Sequence, residues 1–219
     1  MKTLGIQSFT FNPLQENTYV VFNTKTKVGI IIDPGCYTKE EENLLSDFIT
    51  KENLTIKYLL NTHGHVDHVL GNYFVKKKYN VPFLNHKKDL ETLRAVQVYA
   101  PAYGFSNYQA IEPDDHFEEG HALFLGEIKI DIRFVPGHSP GHVAFIFEEE
   151  NICIVGDVLF KNSIGRTDLP GGNFETLIKS IHNQIFTLPE SMKVYPGHGP
   201  HTFIGEEMRT NPYCAINLK

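Results

Sequence analysis

The sequence predicts an α/β fold: two mixed sheets packed face to face, with helices on both outer faces, in the layer order αββα. Two observations carry that expectation. Strand and helix signals fall in two successive groups, one in each half of the 219 residues, with no linker between them. Within each group, apolar strand runs stand beside amphipathic helix patterns, so each sheet has helices to cover it. Residues 1–219 are accordingly read as one domain.

The N-terminal third alternates strand and turn signals. Strand-like runs occupy Leu4–Phe11, residues 18–22 and Val28–Ile32, the last ending in the turn Asp33-Pro34-Gly35. A helix follows, in which Thr38 and Glu41 form a capping box. Leu44, Leu45, Phe48 and Ile49 make its apolar face. Residues 56–60 read as a buried strand, 69–78 as a helix, 82–84 as a short strand and 87–98 as another helix. In the second half, Ile128, Ile130, Ile132 and Phe134 alternate along residues 128–135, so one face of that strand is expected to be buried. Val143–Phe147 and residues 152–155 follow as strands. Asn173 caps a helix whose apolar face is Phe174, Leu177, Ile178, Ile181 and Ile185. A strand over 192–195 and a short helix over 205–209 complete the pattern.

Composition narrows the function classes. A hydrophobic fraction of 41% supports a sizeable core, and a net charge of −6 offers no general attraction to nucleic acid or an anionic membrane. No apolar run is long enough to span a bilayer, and the first residues lack the apolar stretch of a signal peptide. Cys36, Cys153 and Cys214 are odd in number and widely spaced, which suits free thiols in a reducing compartment. The expectation is a cytoplasmic protein with neither nucleic-acid nor membrane partners.

The chemistry is concentrated in Thr62-His63-Gly64-His65-Val66-Asp67-His68. His63 and His65 are two apart, so extended backbone can point both the same way, and Asp67 and His68 follow where a helix begins. Neutral imidazole and carboxylate oxygen are ligands for divalent zinc, iron or manganese. The remaining candidates each lie where a strand ends in a Gly-rich turn: His138 in Pro136-Gly137-His138, Asp157 in Val155-Gly156-Asp157, and His198 in Pro196-Gly197-His198. Glycine permits tight turns and close approach, so such strand ends can converge on one point. His142 is read as supporting a turn, and His86, His116, His121, His182 and His201 as ordinary core or surface histidines.

The set His63, His65, Asp67, His68, His138, Asp157 and His198, preceded by Asp33 in Ile32-Asp33-Pro34-Gly35, resembles the motifs of the metallo-β-lactamase superfamily, in order along nearly the whole chain. Asn17-Thr18-Tyr19 and Gly165-Arg166 make it similar to the glyoxalase II-like (hydroxyacylglutathione hydrolase-like) branch. The resemblance implies the αββα sandwich already read from the pattern. It also implies two divalent ions, zinc first, with iron or manganese as alternatives. His63, His65 and His138 would hold one, Asp67, His68 and His198 the other, and Asp157 would bridge them. Asp33 would fix ligand orientation through hydrogen bonds. His68 stands where some lactamase relatives carry Arg, which implies a dinuclear hydrolase.

Such a site turns water into a nucleophile near neutral pH. A thiolate leaves readily because thiol pKa values lie near 8.5, so a small-molecule thioester is the expected substrate. Asp67 is the candidate catalytic residue, orienting the nucleophile. Glyoxalase II itself carries a C-terminal helical domain; only residues 199–219 follow His198 here, so that domain is not expected. Gly165-Arg166-Thr167-Asp168 is similar both to persulfide dioxygenases, which use one iron, and to short glyoxalase II-like bacterial hydrolases. Arg166 is a candidate for a substrate carboxylate or, equally, for a structural bond to loop carbonyls or Asp168. The aromatic segment 99–108 is a candidate wall of the substrate cleft or a packed loop over the core.

Overall fold

The computed structural model describes residues 3–118, 120 and 122–216, so His121 lies outside the described residues. In the first half, β1 (Leu4–Phe11), β2 (Glu16–Asn23) and β3 (Val28–Ile32) form an antiparallel meander. Helix α1 (Lys39–Lys51) then crosses over to β4 (Thr55–Leu60), parallel to β3. Helices α2 (Val66–Val69) and α3 (Asn72–Tyr79) lead to β5 (Phe83–His86), and α4 (Leu90–Tyr99) leads towards β6 (Asp115–Phe117). The six strands lie in sequence order in one mixed sheet.

The second sheet holds β7 (Ala122–Leu125), β8 (Ile128–Phe134), β9 (Val143–Phe147), β10 (Ile152–Gly156), β13 (Lys193–Pro196) and β14 (Thr202–Phe203), in the order β14-β13-β10-β9-β8-β7. A small ribbon of β11 (Leu159–Phe160) and β12 (Ser163–Ile164), helix α5 (Phe174–Ser180) and the π-turn Ile181–Ile185 connect β10 to β13. Helix α6 (Ile204–Thr210) follows β14.

Three apolar layers hold these elements together. Tyr19, Val21, Ile30, Ile32 and Leu60 from the first sheet meet Ile130, Val143, Phe145, Phe147 and Ile154 from the second. The alternate residues Val20, Ile31 and Leu59 point the other way, onto Leu45 and Ile49 of α1, Val75 of α3 and Val96 of α4. On the far side, Ala144, Ile146, Cys153 and Val194 pack on Leu177, Ile181, Ile185 and Ile204. The two-residue side-chain period of each strand therefore feeds two cores, which is why β2 is buried along its whole length. This is the expected αββα arrangement.

Several details differ from the sequence reading. The helix expected over 69–78 is two pieces that begin at Val66 and break at Gly71. The Gly71 N–H donates to Pro34 O at 2.7 Å, and a Cβ there would lie 2.5 Å from Cys36 Sγ, so the break lets the chain pack on the Asp33 turn. Leu44 and Phe174 are 58% and 51% exposed, at the edges of their helices rather than in the core. Strands β6, β7 and β14 have 3, 4 and 2 residues, too short to show a period in the sequence. The capping box at Thr38 and Glu41 and the Asn173 cap are present. Among the described residues, no helix is long and apolar enough to cross a membrane.

Candidate metal centre

The site forms where β4, β10 and β13 end and where β8 turns into β9. Asp33, just after β3, is 1% exposed and has φ of 49°, in the left-handed region that Asp tolerates better than most residues. Its carboxylate accepts the Thr62 N–H at 2.7 Å and the Thr62 hydroxyl at 2.6 Å, and faces His68 Nδ1 at 3.1 Å. The first ligand loop is thus seated on β3 before any side chain reaches the centre.

Hydrogen bonds set the imidazole tautomers. Thr62 gives its hydroxyl proton to Asp33, so His63 Nδ1–H donates to Thr62 Oγ1 at 3.0 Å and leaves Nε2 bare. The His138 Nδ1–H donates to the Arg166 carbonyl at 2.7 Å, and the His198 Nδ1–H to the Gln15 carbonyl at 3.1 Å. His68 donates from Nδ1 to Asp33. In each of these rings Nδ1 is held by the protein and Nε2 faces the centre. His142 differs. Its Nδ1–H donates to Val143 O at 3.1 Å, and its Nε2 accepts the Asp157 N–H at 3.1 Å, so it has no nitrogen left for an ion. Its ring stacks on His63, with centroids 4.6 Å apart.

One ligand atom from each of His63, His65 and His138 lies within 4.8 Å of the others, and the same holds for Asp67, His68 and His198. Asp33, His63 and His68 meet the same limit, but the Asp33 carboxylate already accepts from Thr62 and faces His68 Nδ1, which leaves the first two groups to face the cleft. Asp157 stands between them, with Oδ1 3.4 Å from His68 Nε2 and Oδ2 3.6 Å and 3.5 Å from the Nε2 atoms of His138 and His198. The fit to cations is visible in the atoms that protein groups leave unsatisfied. His63 Nε2, His68 Nε2 and Asp157 Oδ1 are buried without a hydrogen-bond partner. Each such atom costs about 1–3 kcal/mol unless something else binds it.

Electrostatics distinguish the two groups. Burial, reinforced by neighbouring imidazoles, pushes His63 well below the ordinary range and His65 down to about 3, keeping both neutral and able to coordinate. Burial would also depress His68 and His198, but Asp157 and Asp67 outweigh it and raise both. Burial would raise Asp157, yet His68, His138 and His198 hold it far below the usual carboxylate range. The centre is a mutually compensated cluster of carboxylates and imidazoles.

The His198 loop is held by the residues that carried the glyoxalase II-like resemblance. Asn17 Nδ2 donates to the carbonyls of Pro196 and Gly199 at 3.1 Å and 2.9 Å, and the Tyr19 hydroxyl donates to Pro196 O at 2.6 Å. Thr18 Oγ1 donates to Glu16 Oε2 at 2.9 Å and accepts from Gly35 N. Two buried carboxylates beside the ligand loops escaped the sequence reading. Glu16 is fully buried behind His68, with Oε1 3.9 Å from Nδ1, and burial pushes its carboxyl well up. Asp89, 1% exposed, accepts from Gly64, Ser139 and Gly141. Neither stands in a motif, and Asp89 reads in sequence only as part of a helix start.

A cleft of about 940 Å³ opens onto the two groups, walled by Val66, Tyr99, Tyr103, Phe160, Ile164 and Leu169, with Lys88 and Arg166 at its lining. The aromatic segment divides between its two expected roles. Tyr99 and Tyr103 line the cleft, whereas Phe105 and Tyr108 join the core, Phe105 edge-on to Tyr37 at 5.0 Å. Arg166 forks onto Asp168 at 2.7 Å and 2.6 Å, and both side chains are exposed. Its carbonyl is the group that holds His138. His86, His116 and His182 bond or stack elsewhere, and His201 lies beside Tyr195 and Phe203.

The family described as the metallo-beta-lactamase superfamily matches residues 11–198, a span that includes all seven convergent residues. The chain belongs to this superfamily. Hydroxyacylglutathione hydrolase GloC of Haemophilus influenzae is 37% identical over 212 residues, covering 96% of this chain and 98% of that protein. A probable metallo-hydrolase of Bacillus subtilis, YqgX, is 36% identical, with 92% and 93% covered. Among solved structures, the BLEG-1 B3 metallo-beta-lactamase superposes with a TM-score of 0.87 at 35% identity, covering 96% of this chain and 99% of that one. TTHA1623 in a di-iron-bound form gives a TM-score of 0.83 at 37% identity, with 94% and 99% covered. The chain is thus a metallo-hydrolase of the metallo-β-lactamase superfamily, with a His/Asp metal-binding cluster at its strand ends.

Proposed function

We propose that this metallo-hydrolase cleaves a small-molecule thioester of the hydroxyacyl-glutathione type with two divalent ions, zinc in the first place. His63, His65 and His138 hold one ion, Asp67, His68 and His198 the other, and Asp157 is shared. The observation that carries the reading is the second group: Asp67, His68 and His198 are assembled as closely as the three histidines, with Asp157 within 3.6 Å of nitrogens from both groups. The di-iron form of TTHA1623 and the activity named for GloC support it. Bound there, the ions supply a hydroxide at neutral pH and polarise a carbonyl oxygen.

The chain's own residues do the rest. Asp67 Oδ2 lies 3.1 Å from His198 Nε2, and its carboxylate accepts a hydrogen bond from the attacking water and orients it. The apolar walls at Val66, Tyr99, Phe160 and Ile164 seat the acyl group and exclude bulk water. The thiolate departs without a general acid, since its pKa is near 8.5. Buried free thiols at Cys36, Cys153 and Cys214 support a reducing, cytoplasmic setting.

The test is metal content and turnover of S-lactoylglutathione on one purified sample. Two metals per chain with hydrolysis is the expected result. One iron per chain with oxygen uptake on a glutathione persulfide would replace this reading with a dioxygenase. A chromogenic cephalosporin belongs in the same panel because BLEG-1 is named a β-lactamase. Arg166→Ala separates that residue's two roles. It is expected to raise KM several-fold more for an acidic thioester than for a neutral one, because Arg166 lines the cleft. An equal fold-change in KM for the two would mean that the side chain serves only Asp168.

A further inference from the structure

We propose that Asp89 is a positioning residue of the three-histidine site, pinning its two ligand loops to each other and to α4; this rests on reading His63, His65 and His138 as metal ligands. Asp89 immediately precedes α4 and is 1% exposed. Its Oδ2 accepts the N–H of Gly64, the residue between His63 and His65. Its Oδ1 accepts the Ser139 hydroxyl and the Gly141 N–H, the latter at 2.9 Å, from the loop that carries His138. One carboxylate thereby takes three donors from two loops far apart in sequence, a use of its acceptor capacity that a neutral side chain cannot match.

The glycines record the same arrangement independently. A Cβ at position 64 would lie 2.8 Å from the Leu93 N and 3.1 Å from Asp89 Oδ2. One at position 141 would lie 2.4 Å from Asp89 N and 2.5 Å from Asp89 Cβ. Glycine at both places lets the start of α4 close on both loops, so that Asp89 reaches each backbone directly. His65 Nδ1 and His138 Nε2, 2.8 Å apart, are delivered by those two loops. Slack in either loop alters this spacing, and with it the affinity for an ion.

Asp89→Asn is the informative variant. It keeps the volume but turns an NH2 towards either Gly64 N–H or the Ser139 and Gly141 donors, so one loop loses its acceptor. Metal-free proteins are titrated with zinc against a chromophoric chelator, in the wild-type and His198→Ala backgrounds; the latter leaves the three histidines intact. Asp89→Asn is expected to weaken zinc about 10–100-fold in both backgrounds and to change the visible spectrum of the cobalt-loaded protein, at unchanged circular dichroism. A residue that only supports the fold would lower the melting temperature of the metal-free protein and leave these affinities alone. Folded Asp89→Asn with wild-type affinity overturns the proposal. If Asp89→Asn does not fold, Ser139→Ala decides: weaker zinc binding supports the pin and unchanged binding overturns it. No substrate enters these measurements. A wild type that shows the affinity difference but no thioester turnover would sink the substrate reading and leave Asp89 in place.

Discussion

Asp157→Ala is expected to leave less than one tightly bound metal per chain and to lower kcat/KM for a thioester at least about 10³-fold, equivalent to about 4 kcal/mol of lost transition-state stabilisation. The reason is positional. Among the described residues, Asp157 is the one carboxylate within 3.6 Å of imidazole nitrogens from both groups, and its backbone N–H is fixed by His142 Nε2. On the proposed two-ion reading, removing it takes a ligand from each ion, and it also deprives His68 of the carboxylate that raises it. Elemental analysis and circular dichroism on the same sample give the check. A folded variant that retains two metals per chain would show that Asp157 does not bridge.

Gly197→Ala should do nearly as much damage with a single methyl group. A Cβ at position 197 would lie 2.0 Å from Asp157 Oδ1 and 2.7 Å from His68 Cε1. Gly197 is absent from the positive-φ residues, so alanine is acceptable to the backbone and the effect is steric, aimed at the shared carboxylate. Displacement of the order of 1 Å at such a centre costs about 10²-fold in rate, and metal content should fall with it. Gly199→Ala is the comparison. There φ is +72° and nothing lies within 4 Å of the new Cβ, so the cost is about 1–2 kcal/mol of backbone strain without direct interference at the centre. Unfolding midpoints and kcat/KM for the two variants separate the cases; equal activity losses would sink the steric account.

Much of the site was legible because its residues cluster in short runs. Three imidazoles and a carboxylate lie between His63 and His68, and His138, Asp157 and His198 each follow a glycine at a strand end. The local rules also worked where the cause is local: the Thr38–Glu41 capping box, the Asn173 cap and the alternation of Ile128, Ile130 and Ile132. They failed where neighbours distant in sequence decide. Asp89 receives donors from residues 25, 50 and 52 positions away, so no window around it shows its task. Arg166 admits two readings in sequence; in the fold its side chain pairs with Asp168 while its carbonyl sets the tautomer of His138. The helix expected over 69–78 ignored Gly71, whose break is imposed by Pro34 and Cys36 packing against it.

By itself, then, the sequence determined the layer order and the candidate ligand residues of the centre, because strand period, helix period and ligand chemistry are written residue by residue. The tertiary structure decided which nitrogen of each imidazole faces inward, that Asp157 stands between the two groups, and which buried carboxylates hold the loops. Those outcomes depend on backbone carbonyls and hydroxyls brought together from segments distant in sequence, such as Gln15 O against His198 and Arg166 O against His138. A hydrogen bond between segments that meet only on folding leaves no periodic trace in either segment.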